Sequence, residues 1–302
     1  MRYYVTESKL SGVFSETFFL MKKNFVPLLV ANLILAVFSI GITVLSETVT
    51  AFASLSYTGY YVQSMIYSLL SLLISCLLLF LVSPFVSAFC KVRCFSTMGG
   101  ASLTFSQTFR AAKIKFPYTL TSLLCMAVLS LALVPVIVVI VLLGTLYGFT
   151  APSSMTVFII VVSIIMLGIV YLAMHFALVS DIAANEELHG FKAVFKSFRL
   201  ITKGNYGKNV GHLLLYYGIL FAIELILAFF VVSPLSLAGY YWIAICISFP
   251  VTTIVSMFTS CYLSVIYKNA SLHMEGYAHF PYAVLLDDIG SDSSAKYPGD
   301  FQ

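Results

Sequence analysis

The feature that most constrains this chain is a series of six long apolar segments. They cover residues 26–45, 62–89, 117–146, 154–180, 210–232 and 241–267. A helix of about 20 apolar residues crosses the hydrocarbon core of a bilayer, and each segment reaches that length. The fold class predicted is therefore all-α: a polytopic integral membrane bundle of about six transmembrane helices. We expect kinks where proline interrupts a segment, at Pro84, Pro135 and Pro250.

The scarcity of charge supports a membrane location. Only 9% of the residues are charged, 61% are hydrophobic, and the mean hydropathy is +1.02. A soluble domain carries about 25% charged residues, because its surface must face water. A chain of 302 residues with so little charge cannot coat a water-soluble globule, so its apolar surface must face lipid. The cysteines fall in apolar runs or beside basic residues, where we expect them to act as small apolar fillers.

The basic residues predict the orientation in the membrane. The links 46–61, 147–152 and 233–240 contain no Lys or Arg, and all 16 basic residues lie in the other four regions. Lys and Arg concentrate on the cytoplasmic side of bacterial membrane proteins. We therefore expect a multi-pass protein of the plasma (inner) membrane with both termini in the cytoplasm.

An internal repeat is the next prediction. Residues that are apolar apart from Asn205 recur at helical spacing before the first, third and fifth segments, each set with basic residues beside it. The three sets are Phe14, Phe18, Met21 and Phe25; Phe105, Phe109, Ala112 and Phe116; and Val194, Phe198, Ile201 and Asn205. We interpret each repeat as an amphipathic helix on the membrane surface followed by a transmembrane hairpin. The domain organisation is then one transmembrane domain, 1–268, with pseudo-repeats 8–98, 99–187 and 188–268, and a cytoplasmic tail, 269–302.

The amphipathic segments predict the partners. An apolar face beside a cationic face is typical of a helix lying among the headgroups of an anionic leaflet. The expected partners are therefore anionic membrane lipids, and nucleic acid is not expected. A solvated basic loop with incidental aromatics is the alternative. The residues assigned to headgroup contact are Lys22, Lys23, Arg110, Lys113, Lys192, Lys196, Arg199 and Lys203.

One stretch carries a family resemblance. Residues 179–204 read Val-Ser-Asp-Ile-Ala-Ala-Asn-Glu-Glu-Leu-His-Gly-Phe-Lys-Ala-Val-Phe-Lys-Ser-Phe-Arg-Leu-Ile-Thr-Lys-Gly. An acidic residue at a helix exit, followed by Gly-x-x-Ala-x-x-x-Ser-x-x-Leu-x-x-x-Gly, resembles a group of bacterial membrane families. The group includes the YciC-like proteins and the membrane domain fused to some glycerophosphodiester phosphodiesterases. The resemblance implies a six-helix layout and no defined activity, since nothing here matches the soluble phosphodiesterase domain.

Four polar residues inside the apolar segments are candidates for a substrate or proton pathway. Glu224 is the one carboxylate placed deep in the bilayer, where it must be neutral, paired or beside water. His175 and His212 lie near the predicted cytoplasmic ends of their segments, and Asn32 lies in the first segment. Structural hydrogen bonds between helices are the alternative role for all four. We expect no metal ion and no other cofactor.

The function predicted from the sequence is transport-related, or concerned with membrane homeostasis, with a cavity between three hairpins. The alternative is a non-transporting scaffold that binds anionic lipid or a protein partner through its basic amphipathic helices. Hydrolase and phosphate-binding motifs are missing from the sequence, so we do not expect an enzyme, and a lipid-acting intramembrane enzyme is the weakest alternative. A polar cavity reaching Glu224 would favour transport, and a packed interior at that level would favour the scaffold.

Overall fold

The computed structural model describes residues 10–55, 61–131, 152–203 and 205–275, with the side chains of 42–79 outside that description. The described residues form helices joined by short turns, and they contain no strand. The all-α fold class is thus confirmed. The helices, numbered in chain order, are α1 (Leu10–Lys23), α2 (Phe25–Leu55), α3 (Tyr61–Met98), α4 (Phe105–Leu131), α5 (Pro152–Phe176), α6 (Val179–Glu186), α7 (Phe191–Lys203), α8 (Tyr206–Leu227), α9 (Ser233–Leu237) and α10 (Tyr241–Glu275); a π-helical turn, Ala228–Val232, joins α8 to α9.

Several described helical stretches are long and apolar enough to cross a membrane. Four helical stretches meet this length and composition criterion individually, and the bent pair α1 and α2 adds a fifth when it is counted as one span. The four are Phe105–Leu129, Leu167–Glu186, Tyr206–Leu235 and Trp242–Met274. The predicted second segment lies within α3, and the later half of the predicted third segment, with Pro135, lies outside the described residues. The arrangement of six helices in three hairpins therefore stays a prediction.

The chain bends sharply between α1 and α2. The two helices meet at an angle of 83°, and the single residue between them is the buried Asn24. The Asn24 amide donates to the carbonyl of Leu20 at 3.0 Å, and its Oδ1 accepts from Arg93 Nε at 2.9 Å and Thr97 Oγ1 at 3.0 Å. The bend is thus held by α3 as well as by the local chain.

The amphipathic segments differ from one another in the structure. The first and third are separate helices, α1 and α7, that precede α2 and α8. The second, 105–116, is continuous with α4, which runs through Pro117 without a break. Proline is accommodated in the same way inside α3 at Pro84 and inside α10 at Pro250. The repeat therefore remains a pattern in the sequence, because its amphipathic segment is a separate helix in two cases and the start of a longer helix in the third.

The packed core lies at one end of the bundle, around the last four turns of α10. This helix packs against α1, α2, α3, α6, α7 and α8. Its buried Tyr262 stacks on Tyr216 of α8 at 5.2 Å, and its Tyr267 meets Phe95 of α3 edge-on at 5.4 Å. The helix continues to Glu275, so Asn269–Ser271, the start of the predicted tail, are buried in the bundle. The rest of the tail, 276–302, lies outside the described residues.

The backbone at Gly190, between α6 and α7, gives the first testable prediction. Its φ of +51° lies in the left-handed region, and an added Cβ would lie 3.1 Å from Cys125 Sγ of α4. We expect Gly190→Ala to lower the free energy of unfolding by about 1–2 kcal/mol, since an L residue is strained there. Thermal unfolding in one detergent checks this. Gly218→Ala is the control, because it is helical with open space beside it, and a larger loss in the control would contradict the prediction.

Candidate functional site

A buried ion pair lies at the centre of the packed end. Lys91, near the end of α3, places its Nζ 2.8 Å from Oδ2 of Asp181 in α6. The two side chains are only 4% and 0% exposed. Either charge alone would be very costly to bury, so the two positions depend on each other.

Helix α10 completes the surroundings of this pair. Ser264 Oγ donates to Asp181 Oδ1 at 2.8 Å, and Lys91 Nζ donates to the carbonyl of Ser260 at 3.1 Å. Three helices from separate parts of the chain, α3, α6 and α10, therefore meet at one charged centre. A hydrogen-bonded pair of this kind resists changes in the spacing of its helices.

Three cysteines lie beside the ion pair. The sulfur atoms of Cys94 and Cys261 are 3.7 Å apart, and Asn32 Nδ2 lies 3.7 Å from Cys90 Sγ. All three thiols are buried and unbridged. Among the residues that the structure describes, no group of three His, Cys, Asp or Glu side chains is arranged to hold a metal ion. The cysteines act here as small packing residues.

Further ion pairs surround the centre at the same end of the bundle. Lys115 of α4 lies 2.7 Å from Glu187, Lys196 of α7 pairs with Glu186, and Lys268 of α10 pairs with Glu16 of α1. Tyr267 Oη donates to Glu186 Oε1 at 2.7 Å and accepts from Asn185 Nδ2 at 2.9 Å. These contacts join the four basic regions of the sequence into one polar layer.

A cleft opens between α2 and α10, about one to four helical turns from Ser260 along α10. Its volume is about 340 Å³. It lies within the apolar stretches of both helices, yet its lining carries five hydroxyl groups and one amide. The residues of this α2–α10 cleft are Asn32, Leu35, Ala36, Ser39 and Ile40 from α2, and Ile245, Ser248, Phe249, Thr252, Thr253 and Ser256 from α10.

One face of α10 connects the cleft to the ion pair. Ser256, at the inner end of the cleft, donates to Asn32 Oδ1 at 2.6 Å. Ser260 and Ser264 follow at successive four-residue steps and contact Lys91 and Asp181. Residues four apart lie on the same side of a helix. Ser256, the backbone carbonyl of Ser260 and Ser264 therefore place polar groups along α10 between the cleft and the buried charges.

The pathway residues predicted from the sequence do not come together. Asn32 lines the cleft, as described above. Glu224 is exposed on the outside of α8 and is not part of the cleft lining. The cavity therefore lies between α2 and α10 and does not reach Glu224, which is not in a packed interior either.

The two histidines occupy separate packing positions. The buried ring of His175 packs against Phe198 of α7 at 4.7 Å, and its Nδ1 donates to the carbonyl of Tyr171 at 2.7 Å. His212 is buried in α8, where its backbone carbonyl accepts from Tyr262 Oη at 3.0 Å. These contacts join α5 to α7 and α8 to α10.

The residues assigned to headgroup contact are mostly on the surface. Seven of the eight have exposed side chains: Lys22, Lys23, Arg110, Lys113, Lys192, Arg199 and Lys203. Exposed aromatic rings lie beside them in sequence, including Phe18, Phe19, Phe109 and Phe195. Lys196 differs, because it is partly buried and paired with Glu186.

The motif in 179–204 has a packing explanation. Ala193, Ser197 and Leu200 form the buried face of α7, and Ser197 Oγ donates to the carbonyl of His175 at 2.7 Å. Gly190 supplies the left-handed turn before that helix. The acidic residue of the motif, Asp181, is the partner of Lys91. Small residues at this spacing let α7 approach the bundle closely.

Comparisons with known proteins identify no relative: no protein-family model, no curated protein and no solved structure matches this chain significantly.

Sequence reasoning missed most of this site. By sequence, Lys91 and Asp181 belong to the predicted cytoplasmic links, and the hydroxyl residues of α10 are ordinary members of an apolar segment. One available signal was the four-residue spacing of Ser248, Thr252, Ser256, Ser260 and Ser264. Such a ladder places hydroxyl groups along one side of a single span.

The ion pair gives the second testable prediction. Lys91→Met leaves Asp181 buried without a counter-charge, so we expect a loss of about 3–5 kcal/mol in the free energy of unfolding. The double variant Lys91→Met, Asp181→Leu removes both charges and should recover most of that loss. Unfolding titrations in mixed micelles provide the measurement. Lys22→Met, at an exposed lysine, is the control and should change stability by less than about 0.5 kcal/mol.

If the double variant loses as much as the two single variants together, the two residues do not act as a pair. The same titration therefore tests both the cost of the lone charge and the coupling between its partners.

Proposed function

We propose that this protein binds a small amphipathic ligand in the α2–α10 cleft, in a transport-related or membrane-homeostasis role. The observation that carries the proposal is the cleft itself, a cavity of about 340 Å³ lined by hydroxyl and amide groups at membrane level. Ligand sites are concave and mostly apolar, with a few polar groups that orient the ligand. Leu35, Ile40, Ile245 and Phe249 supply the apolar wall here.

The charged layer supports this proposal by its position. It joins α1, α3, α4, α6, α7 and α10 at one end of the bundle, whereas the cleft lies between α2 and α10. A rigid base next to an open pair of helices suits a protein that admits a ligand from the membrane. Ser256, Ser260 and Ser264 on α10 lie between the ligand site and the buried charges and contact both.

The proposed setting is the bacterial inner membrane, with six spans in three hairpins and both termini in the cytoplasm. The link 233–240 and the other two links without Lys or Arg would face outward. The polar layer would then lie at the cytoplasmic surface, where the exposed lysines, arginines and phenylalanines meet anionic headgroups.

A cleft-filling substitution tests the ligand proposal. We expect wild-type protein, extracted in mild detergent, to retain an amphipathic molecule that mass spectrometry identifies after denaturation. Ser248→Leu places an apolar side chain in the cleft and should remove most of that molecule. Ala222→Leu adds similar bulk on the exposed side of α8 and should leave it bound. An identical set of molecules in all three preparations would contradict the proposal.

A second candidate function rests on the exposed basic and aromatic residues of α1, α4 and α7. Phe18, Phe109 and Phe195 are 57%, 48% and 71% exposed, beside the exposed lysines and arginines named above. This surface favours a lipid-binding scaffold. The same mass spectra separate the two candidates. A scaffold predicts that every variant retains anionic lipid equally and that no molecule is specific to the open cleft.

Epitope insertion tests the proposed topology. Gly100 and Gly239 both lie in exposed turns with positive φ, so short insertions there should not disturb a helix. We expect an antibody to label the Gly239 insertion on intact spheroplasts. The Gly100 insertion should be labelled only after permeabilisation. Reversed labelling would invert the orientation, and labelling of both sites in intact spheroplasts would rule out the six-span arrangement.

A further inference from the structure

We infer that the α2–α10 cleft selects an amphiphile whose headgroup donates several hydrogen bonds and carries no negative charge. This inference rests on the proposed ligand-binding function and specifies the chemistry of its ligand. Three observations support it: the hydroxyl groups of the cleft donate within the protein, both N–H groups of the Asn32 amide are already used, and the lining carries no charge.

The hydroxyl protons of the cleft are already used inside the protein. Ser248 Oγ donates to the carbonyl of Ala244 at 2.9 Å, and Thr252 and Thr253 both donate to the carbonyl of Phe249 at 2.9 Å. A carbonyl oxygen can only accept, so in each bond the hydroxyl group must be the donor. The oxygens of these three lining hydroxyl groups keep lone pairs that can accept hydrogen bonds from a ligand.

The Asn32 amide has no donor left for a ligand. Its Nδ2 donates to the carbonyl of Leu28 at 2.8 Å and toward Cys90 Sγ at 3.7 Å, and its Oδ1 accepts from Ser256 at 2.6 Å. The two N–H groups of an amide are thereby both assigned. Ser256 donates its hydroxyl proton to Asn32, so it too can only accept a hydrogen bond from a ligand.

The lining also offers nothing to balance an anion. Of its eleven residues, all within the described part of the chain, none is Lys, Arg or His. An anionic headgroup placed at this depth would be unpaired, which is costly in a region of low dielectric constant. The lining also contains no Asp or Glu, so burial at this depth penalises an ion of either sign. A phosphate or carboxylate is disfavoured further, because it brings acceptors to hydroxyl oxygens that are themselves acceptors, whereas an ammonium group brings donors.

The complementary headgroup carries hydroxyl or ammonium protons. A polyol, such as the glycerol of a neutral glycerolipid, and a primary ammonium both supply two or three donors on a compact group. The apolar residues Leu35, Ile40, Ile245 and Phe249 line the same cleft and suit an acyl chain. The shared chemistry is a donor-rich, non-anionic head on an apolar tail.

The single tryptophan of the chain provides a reporter beside the cleft. Trp242 is the only Trp in the sequence, and it lies one turn before the lining residue Ile245 on α10. Residues three apart share a side of a helix. A brominated acyl chain bound in the cleft should therefore quench Trp242 fluorescence.

The experiment compares three probes with one dibrominated C18 chain: the monoacylglycerol, the primary amine and the fatty acid. Each is titrated into full-length protein in nanodiscs, at a pH where the amine is protonated and the acid is ionised. We expect saturable quenching by the monoacylglycerol, the amine or both, and binding of the fatty acid at least about tenfold weaker. The affinities of the monoacylglycerol and the amine are then compared. The tighter binder shows whether the cleft prefers a hydroxyl or an ammonium headgroup.

Two variants separate the inference from the proposed function. Ser248→Ala combined with Thr252→Val removes two acceptors and little volume, and should weaken the better probe by about tenfold, since each net hydrogen bond contributes about 0.5–1.5 kcal/mol. Ser248→Leu fills the cleft and should abolish saturable quenching by every probe. Ala222→Leu, outside the cleft, should match wild type.

The outcomes are distinct. If all three probes bind equally and only Ser248→Leu abolishes binding, the cleft is a ligand site but the donor-rich selectivity is wrong. Preference for the fatty acid also overturns the selectivity. If no probe quenches saturably, or Ser248→Leu changes nothing, the cleft is not a site for amphiphiles and the proposed function fails with the inference. That result would favour a transmembrane helix of another protein as the occupant.

Discussion

The buried pair between Lys91 and Asp181 is the interaction on which the rest of the structure depends. Its two members, with Ser260 and Ser264, come from three helices, and the contacts to α10 span 169 and 83 positions of the chain. A lone charge in this interior would destabilise the fold strongly, so the helices must meet in one register. Around this centre, the Lys115, Lys196 and Lys268 ion pairs attach α4, α7 and α1 to the same end of the bundle.

This concentration of polar contacts at one end explains why the other end can open. Beyond Asn32 and Ser256, α2 and α10 no longer share a hydrogen bond among those described above, and the cleft begins there. Four of its five hydroxyl groups donate to a carbonyl of their own helix, and Ser256 donates to Asn32 of α2, so apolar surroundings tolerate them without water. The hydroxyl oxygens still offer acceptors to a ligand that carries donors.

The outer part of α8 presents the opposite situation. None of the most apolar window of Tyr206–Leu235 is buried, and Glu224 is exposed within that stretch. A carboxylate at that depth indicated a functional site when only the sequence was considered. Among the described residues, it is not one of those that line the cleft or contact the ion pair. The polar groups that do come together were individually unremarkable: serines, threonines and one asparagine inside apolar helices.

The sequence by itself determined the class of protein. Segment length and the lack of charge require apolar helices long enough to cross a membrane, and these are local properties of composition. The sequence also located the amphipathic helices α1 and α7, because spacing along one helix is a local pattern. It also identified Asn32, because a polar residue inside an apolar segment can be recognised without the tertiary structure.

Only the tertiary structure decided which residues form the site. The pairing of Lys91 with Asp181, and the path of serines from the cleft to that pair, depend on which helices are neighbours. Helix neighbours are chosen by packing and by the cost of an unpaired buried charge, and neither leaves a periodic signal in one chain. For that physical reason a charge that reads as part of a cytoplasmic link became the centre of the fold.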